Sequence, residues 1–298
     1  MKALVLGGDG FIGSHLVHAL EERGHDAIVI DIRRSPNHDL RLEGNVKRIF
    51  DEHRDADVCV HLAAKVGRLF GEDNPMETVI DNVGITALVA KQCGKHQMRL
   101  AYASTSEVYG DNNETVCDEI AGPFRLPHNL YGISKLFGED VCRHYAPESL
   151  TIWRISMPYG PGLPPGRGRA ALPTFIWQAM QGQPISVHRG AERSWCYISD
   201  TVAGLIATLE HDSGGVFNVG RDDVPLPLLE VARRACALVG ASEELIREVD
   251  PPPMQTVVKR LATDRIRALG WTPNIDLDEG MKNVYEWLQA NKEAFRDP

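Results

Sequence analysis

The feature that most constrains this chain lies at its start. The run KALVLGGDGFIGSHL sets Gly7, Gly10 and Gly13 three residues apart, between an apolar strand-like stretch and a helical pattern. A tight turn after a strand needs backbone angles that only glycine adopts cheaply. With no side chains in the way, the backbone can approach a pyrophosphate. The helix that follows offers free N–H groups and the positive end of its dipole. The third glycine lets helix and strand pack closely. Glycines also serve ordinary turns, so the pattern alone is weak. Here the unit ends in Asp31, just past a second strand-like run at Ala27 to Ile30. A carboxylate at that distance suits the ribose hydroxyls of an adenosine, and dinucleotide binding is the expectation. Asp31 favours NAD, because it would repel a 2′-phosphate. Arg33 and Arg34 could accept that phosphate, but they read better as solvated loop charge.

The first half continues the alternation. Ala3 to Leu6, Ala27 to Ile30, Val58 to Leu62, Leu100 to Ser104 and Leu150 to Ile155 read as strands. Phe11 to Arg23, a long stretch from Met76 to His96, and Tyr131 to Tyr145 read as helices. Near-continuous apolar strands alternating with helices imply an α/β fold with a doubly wound parallel sheet, covered on both faces. Met157 to Pro173 is a Pro- and Gly-rich loop, with a helix expected over Thr174 to Gln181. Val216 to Val219 reads as a strand returning to the sheet, and a smaller helical region follows Val224.

A chain of 298 residues with 43% hydrophobic and 24% charged residues is globular in composition. Its net charge of −9 argues against general nucleic-acid binding, which needs a basic face. No apolar run is long enough to span a bilayer. No signal peptide is read at the N-terminus, so a cytoplasmic location without membrane association is expected. Cys59, Cys93, Cys117, Cys142, Cys196 and Cys236 form no metal-binding spacing and read as reduced thiols, Cys59 in the core.

Two further segments carry chemistry: AYASTSEVYG (Ala101 to Gly110) and YGISK, in which Tyr131 and Lys135 lie one helical turn apart. A tyrosine with its ordinary pKa of roughly 10 is a poor base at neutral pH. A lysine ammonium and a positive nicotinamide ring beside it would favour the phenolate. The pair could then take a proton from a sugar hydroxyl as hydride leaves its carbon. Thr105, at the end of a strand, is the candidate to orient the same oxygen. Glu107, two residues on, projects on the same side of an extended strand and is a candidate base.

These motifs together resemble the extended short-chain dehydrogenase/reductase family, in its NAD-dependent nucleotide-sugar epimerase/dehydratase branch. The resemblance rests on LGGDGFIG, HLAA (His61 to Ala64), STSEVYG, YGISK, the YGP turn (Tyr159 to Pro161), RSWCYISD (Arg193 to Asp200) and RLATDRIRALGW (Arg260 to Trp271). It implies a Rossmann-type domain over residues 1–155 and 194–222. Residues 156–193 and 223–298 would form a smaller C-terminal region that holds the nucleotide sugar. It implies Thr105, Tyr131 and Lys135 as the catalytic triad. It also implies NAD contacts from Gly7, Gly10, Phe11, Ile12 and Gly13, from Asp31 and Ile32, from Leu62, Ala63 and Ala64, and from Lys135. Ser106, Arg167, Arg193 and Arg260 are the implied substrate contacts. Arg169 and Arg189 add positive charge to that region, which suits a diphosphate. The family's usual asparagine before the YGP turn is Met157 here, an altered substrate contact. In resembling enzymes the helices at Met76 to His96 and Tyr131 to Tyr145 pair across a two-fold axis. A homodimer is therefore expected, through residues such as Val79, Val83, Leu136 and Phe137.

The expected reaction is nucleotide-sugar epimerisation through a transient 4-keto sugar. A 4,6-dehydratase or uronate decarboxylase stays open, since the STSE segment resembles decarboxylases and GDP-mannose dehydratases. AAKVGRLF (Ala63 to Phe70) resembles the GDP-fucose synthases, which keeps an epimerase-reductase open. A non-catalytic NAD-sensing protein is the alternative of another class.

Overall fold

The computed structural model describes residues 1–110, 116–120, 127–146, 150–166, 170–211, 214–223, 225–252 and 256–295. Six parallel strands form its centre: β1 (Lys2–Leu6), β2 (Asp26–Ile30), β3 (Val58–His61), β4 (Arg99–Thr105), β5 (Leu150–Ile155) and β6 (Gly215–Val219). Across the sheet they run β6-β5-β4-β3-β1-β2. The chain reverses its direction of winding between β1 and β3, which opens a crevice at their carboxyl ends.

The strands are apolar on both faces because both faces are covered. Side chains alternate, so Ala3 and Val5 face one layer while Leu4 and Leu6 face the other. The first layer gathers Leu16, Leu20, Val58, Val60, Leu205 and Trp271. The second gathers Ile49, Phe50, Cys59, Val89 and Tyr102, with Cys59 fully buried. The helices in chain order are α1 (Phe11–Glu22), α2 (Glu43–Glu52), α3 (Arg68–Asp73), α4 (Pro75–Val79), α5 (Ile85–His96), α6 (Leu130–Tyr145), α7 (Ala171–Met180), α8 (Ile198–Glu210), α9 (Leu228–Val239), α10 (Asp264–Arg267) and α11 (Leu277–Ala290). A separate apolar core, with Ile176 of α7, Val231 of α9 and Val284 of α11, lies beyond the sheet. Beside it, Ile185–His188 pairs in parallel with Ile246–Val249.

Two elements differ from the sequence reading. The helix expected from Met76 to His96 is broken by a π-helical turn at Ile80–Gly84. That wider turn points two consecutive polar residues inward, and Asp81 and Asn82 are both buried. Asn82 is held by Lys65 N at 2.7 Å, Lys65 O at 3.0 Å and Ser134 Oγ at 3.0 Å. These tertiary bonds outweigh the regular helical ladder. Helix α7 begins at Ala171 rather than Thr174, with Pro173 in its first turn, where the missing N–H costs nothing.

Helix α6 is fixed at both ends. Asn129 caps it, its Oδ1 accepting from Gly132 N at 2.8 Å. Toward the other end Glu139, without solvent exposure, accepts from Ser104 Oγ at 2.6 Å and from Arg154 Nε and Nη2 at 3.0 and 2.8 Å. Arg143 adds a fourth donor at 2.8 Å.

Met157 carries a φ of 47°, in the left-handed region. A side chain there costs roughly 1–2 kcal/mol, whereas asparagine visits the region more readily. Met157→Asn is expected to raise the free energy of unfolding by about 1 kcal/mol, read by chemical denaturation. A loss of stability would show that methionine packing outweighs the backbone strain.

Candidate active site

The crevice at the ends of β1 and β3 has a volume of about 310 Å³. Its lining includes Gly7, Gly10, Asp31, Ile32, Leu62, Ala63 and Ala64. Gly7 has φ +83°, and a Cβ on it would meet Ala63 N at 2.8 Å. A Cβ on Gly13 would collide with Gly7 O, so α1 can lie against the turn only as glycine allows. Phe11, Ile12 and Gly13 form the first turn of α1, with its free N–H groups at the crevice. This backbone cradle fits a pyrophosphate.

At the adenosine end Asp31 is buried, and its carboxylate accepts from Asp9 N at 3.1 Å and Arg33 N at 3.0 Å. Arg33 also forks onto it through Nε at 3.1 Å and Nη2 at 3.2 Å. Burial pushes the carboxyl upward, but the Arg33 hydrogen bonds outweigh it and hold Asp31 below the ordinary carboxylate range. It is therefore ionised, as a ribose acceptor must be. Arg34 is engaged with Asp9 at 2.7 Å.

Thr105 ends β4, and Tyr131 opens α6 half-buried beside it, in hydrogen-bond contact with Thr105. Burial and, secondarily, the charge of Glu107 push the Tyr131 phenol well above its ordinary range, and Thr105 opposes them. Lys135 is 3% exposed and donates to Ala103 O at 2.7 Å, with its ammonium 4.8 Å above the Tyr102 ring. Burial lowers its pKa to about 8, against the raising effects of Cys142 and Glu139. His61, beneath the site, bonds Thr86 at 3.0 Å and is held neutral by burial and by Lys135, its pKa near about 3.

Glu107 stands next to this group, not on the extended strand expected for it but in a 3-10 turn over Ser106–Tyr109, where Thr105 caps the turn by accepting from Glu107 N at 3.3 Å. Its Oε1 accepts from Lys259 Nζ at 2.7 Å and its Oε2 from Asn129 Nδ2 at 2.9 Å. Burial raises its pKa, but the Lys259 charge and hydrogen bond, then Arg193 and Asn129, bring it down to about 2. Arg193 is within electrostatic reach of both Glu107 and Arg68. Its guanidinium donates to three backbone carbonyls, those of Glu192 and Val257 at 2.7 Å each and Thr256 at 2.6 Å. Two cations, Lys259 and Arg193, therefore act on one carboxylate beside the Thr105–Tyr131 pair, with Arg68 within electrostatic reach of Arg193.

The other expected substrate contacts are distributed differently. Ser106 is buried and donates to Ser156 Oγ at 3.1 Å. Arg260 is exposed, and its neighbour Lys259 is the residue that enters the site. Consecutive residues of an extended segment point to opposite sides, so only one of two adjacent cations can do so. Arg189 makes a surface ion pair with Asp250 at 2.6 Å. Arg167 and Arg169 lie outside the described residues. Lys259, Asn129 and Arg68 were not singled out from the sequence. For Asn129 a signal existed, since an asparagine directly before the helical YGISK segment is a favoured cap. For Lys259 the phase of the strand was not legible.

The burial of Lys135 has a testable cost. In the unfolded chain it keeps the ordinary value of 10.5, and in the fold about 8. The folded state thus binds the proton less firmly, and this penalty is full below pH 8 and fades toward 10.5. Lys135→Met is expected to raise Tm at neutral pH by at least about 2 °C in protein stripped of NAD, while abolishing turnover. The wild type should close that gap as pH rises past 8, in calorimetry. An unchanged or lower Tm in the variant would refute the strain.

Residues 3–220 match the family described as NAD dependent epimerase/dehydratase. The UDP-N-acetyl-alpha-D-glucosaminuronate decarboxylase of Bacillus cytotoxicus is 28% identical, over 97% of this chain and 98% of that protein. The UDP-glucose 4-epimerase of Thermus thermophilus, solved with NAD, superposes with a TM-score of 0.88 at 24% identity, over 97% of this chain and 99% of that one. MoeE5, solved with UDP-glucuronic acid and NAD, superposes with a TM-score of 0.87 at 25% identity, over 98% and 100%. With the glycine cradle, the ionised Asp31 and the Thr105–Tyr131–Lys135 group in place, the chain belongs to the NAD dependent epimerase/dehydratase family and is an NAD-dependent enzyme of its nucleotide-sugar epimerase, dehydratase and decarboxylase kind.

Proposed function

We propose that the chain decarboxylates a nucleotide-activated hexuronate through a 4-keto sugar. The observation that carries this reading is the Lys259–Glu107 ion pair at 2.7 Å beside Thr105 and Tyr131. NAD, when bound, accepts hydride from C4 and later returns it. Tyr131 takes the C4 hydroxyl proton, Thr105 orients that oxygen, and the Lys135 ammonium favours the phenolate. The ketone turns the C6 carboxylate into a β-keto acid. The C5–C6 bond then breaks, its electron pair enters the C4–C5 enolate, and carbon dioxide leaves. C5 now needs a proton, and the Lys259 ammonium, aimed by Glu107, is its source. Tyr131 finally returns its proton to the C4 oxygen as the ketone is reduced.

Glu107 is tied by Lys259 and Asn129 and held well below the ordinary carboxylate range, which makes it a weaker base toward C5. Dehydration and C5 epimerisation both need such a base and lose support. C4 epimerisation needs no group at C5 and stays as the second reading. Decarboxylation is preferred because a 4-epimerase leaves the Lys259–Glu107 pair without a task, and because Arg193 and Lys259 bring positive charge to where an anionic C6 would need it. The likeness to a decarboxylase along nearly the whole chain supports the same choice. Residues 156–193 and 223–298 hold the nucleotide sugar in this reading, across the site from NAD.

The test is incubation with UDP-glucuronic acid and NAD in D₂O. The expected product has lost carbon dioxide and carries one deuterium at C5, by mass spectrometry and NMR. Lys259→Ala should slow it by about 10²–10⁴-fold, the range for a general acid. A product of unchanged mass without deuterium at carbon establishes the epimerase instead.

We propose in addition a homodimer through α4 and α6. Met76, Val79 and Ile80 are 70%, 41% and 50% exposed, and Ile133 and Phe137 on α6 are 47% and 57% exposed. Val83 and Leu136 are only partly buried. Contiguous apolar exposure of this kind on adjoining helices marks an interaction face. Light scattering should give a dimer, and Phe137→Glu a monomer; a monomeric wild type at micromolar concentration removes the proposal.

A further inference from the structure

The reacting groups come from two distant parts of the chain. Tyr131 and Lys135 stand on α6, whereas Lys259 arrives on the segment that precedes α10. Proton transfer to carbon tolerates little misplacement, so the two parts must be held to each other within a fraction of an ångström.

A continuous line of hydrogen bonds, buried as far as Asn218, joins them. The Glu139 carboxylate on α6 accepts from Arg154 Nε at 3.0 Å and Nη2 at 2.8 Å. Arg154 Nη1 donates to the Tyr109 hydroxyl at 3.1 Å. Tyr109 donates to Asn218 Oδ1 at 2.8 Å, and Asn218 Nδ2 donates to Ala262 O at 2.9 Å. Ala262 lies three residues past Lys259. Exposure along the line is 0% at Glu139, 3% at Arg154, and 0% at Tyr109 and Asn218. The direction of every bond is forced. Arginine has no acceptor, so the Tyr109 hydroxyl must accept from it and donate onward. Asn218 must then present its carbonyl to Tyr109 and its amide to Ala262. A second bond, from Asn218 N to Glu119 Oε1 at 2.8 Å, and the packing of Leu261 with Tyr109 steady the same node.

We propose that Tyr109 and Asn218 are positioning residues, which set Lys259 against Tyr131 and Lys135 by tying Ala262 to the Glu139–Arg154 pair of α6. They act through Lys259, and the proposal rests on Lys259 taking part in the reaction.

A double-mutant cycle tests it. Tyr109→Phe removes one hydroxyl and keeps the ring on which Arg154 rests, 4.8 Å from its centroid, so the variant should fold. Its single-turnover rate should fall about tenfold, as for one buried hydrogen bond, with the dissociation constant for NAD unchanged. In Lys259→Ala the same change should cost less than about twofold, because its route of action is gone. Equal costs in both backgrounds overturn the proposal. Amide hydrogen exchange over residues 258–263 should quicken in Tyr109→Phe, and unchanged exchange there overturns it as well. The cycle is read on whichever product forms, so a different product counts against decarboxylation alone. Full activity of Lys259→Ala counts against the role of that lysine, and the exchange measurement still decides whether Tyr109 holds the segment.

Discussion

Glu139 and Arg154 form an ion pair closed off from water at the centre of the molecule, with Ser104 and Arg143 filling the remaining positions on the carboxylate. Taking two charges out of water costs several kcal/mol per ion, so such a pair persists only where every lone pair and proton is met. Here Glu139 accepts from Ser104, Arg143 and Arg154, and Arg154 also donates to Tyr109 in the turn after β4. The consequence is geometric. Helix α6 can neither slide nor rotate against the sheet without uncovering a charge, and Tyr131 and Lys135 lie on the same helix, two turns and one turn before Glu139. The positions of Tyr131 and Lys135 are therefore set by an ion pair whose carboxylate lies one to two turns further along the same helix.

The site uses two buried lysines in opposite ways. Lys135 is given a carbonyl and an aromatic face rather than a hydrogen-bonded carboxylate, so burial lowers its pKa to about 8. Lys259 is given Glu107 at hydrogen-bond distance, which fixes its direction. Asn129 links the two arrangements, since one side chain caps α6 through Oδ1 and orients Glu107 through Nδ2. Charge follows the same economy. A chain of net charge −9 brings Arg193 and Lys259 to a single carboxylate, so positive charge is concentrated locally beside Thr105 and Tyr131.

What could be read from the amino acids was whatever depends on local spacing. Three glycines between a strand and a helix, an aspartate after the second strand, and a tyrosine and lysine one turn apart each state a backbone need or a shared face, and the alternation of apolar runs states a parallel sheet. The π turn at Ile80–Gly84 could not be read that way, because it exists to place Asn82 between Lys65 and Ser134, residues distant in sequence. Nor could the choice between Lys259 and Arg260. Both are cations in an extended segment, and only the register of that segment decides which one enters the site. Glu107 shows the same division. Strand spacing alone would put it on the same side as Thr105, but β4 ends at Thr105 and a 3-10 turn over Ser106–Tyr109 sets the position of Glu107 instead, and spacing does not give its acidity either. That acidity was decided by Lys259, 152 positions away, whose ammonium the fold brings to 2.7 Å and which, against the upward push of burial, holds the carboxyl below its ordinary range.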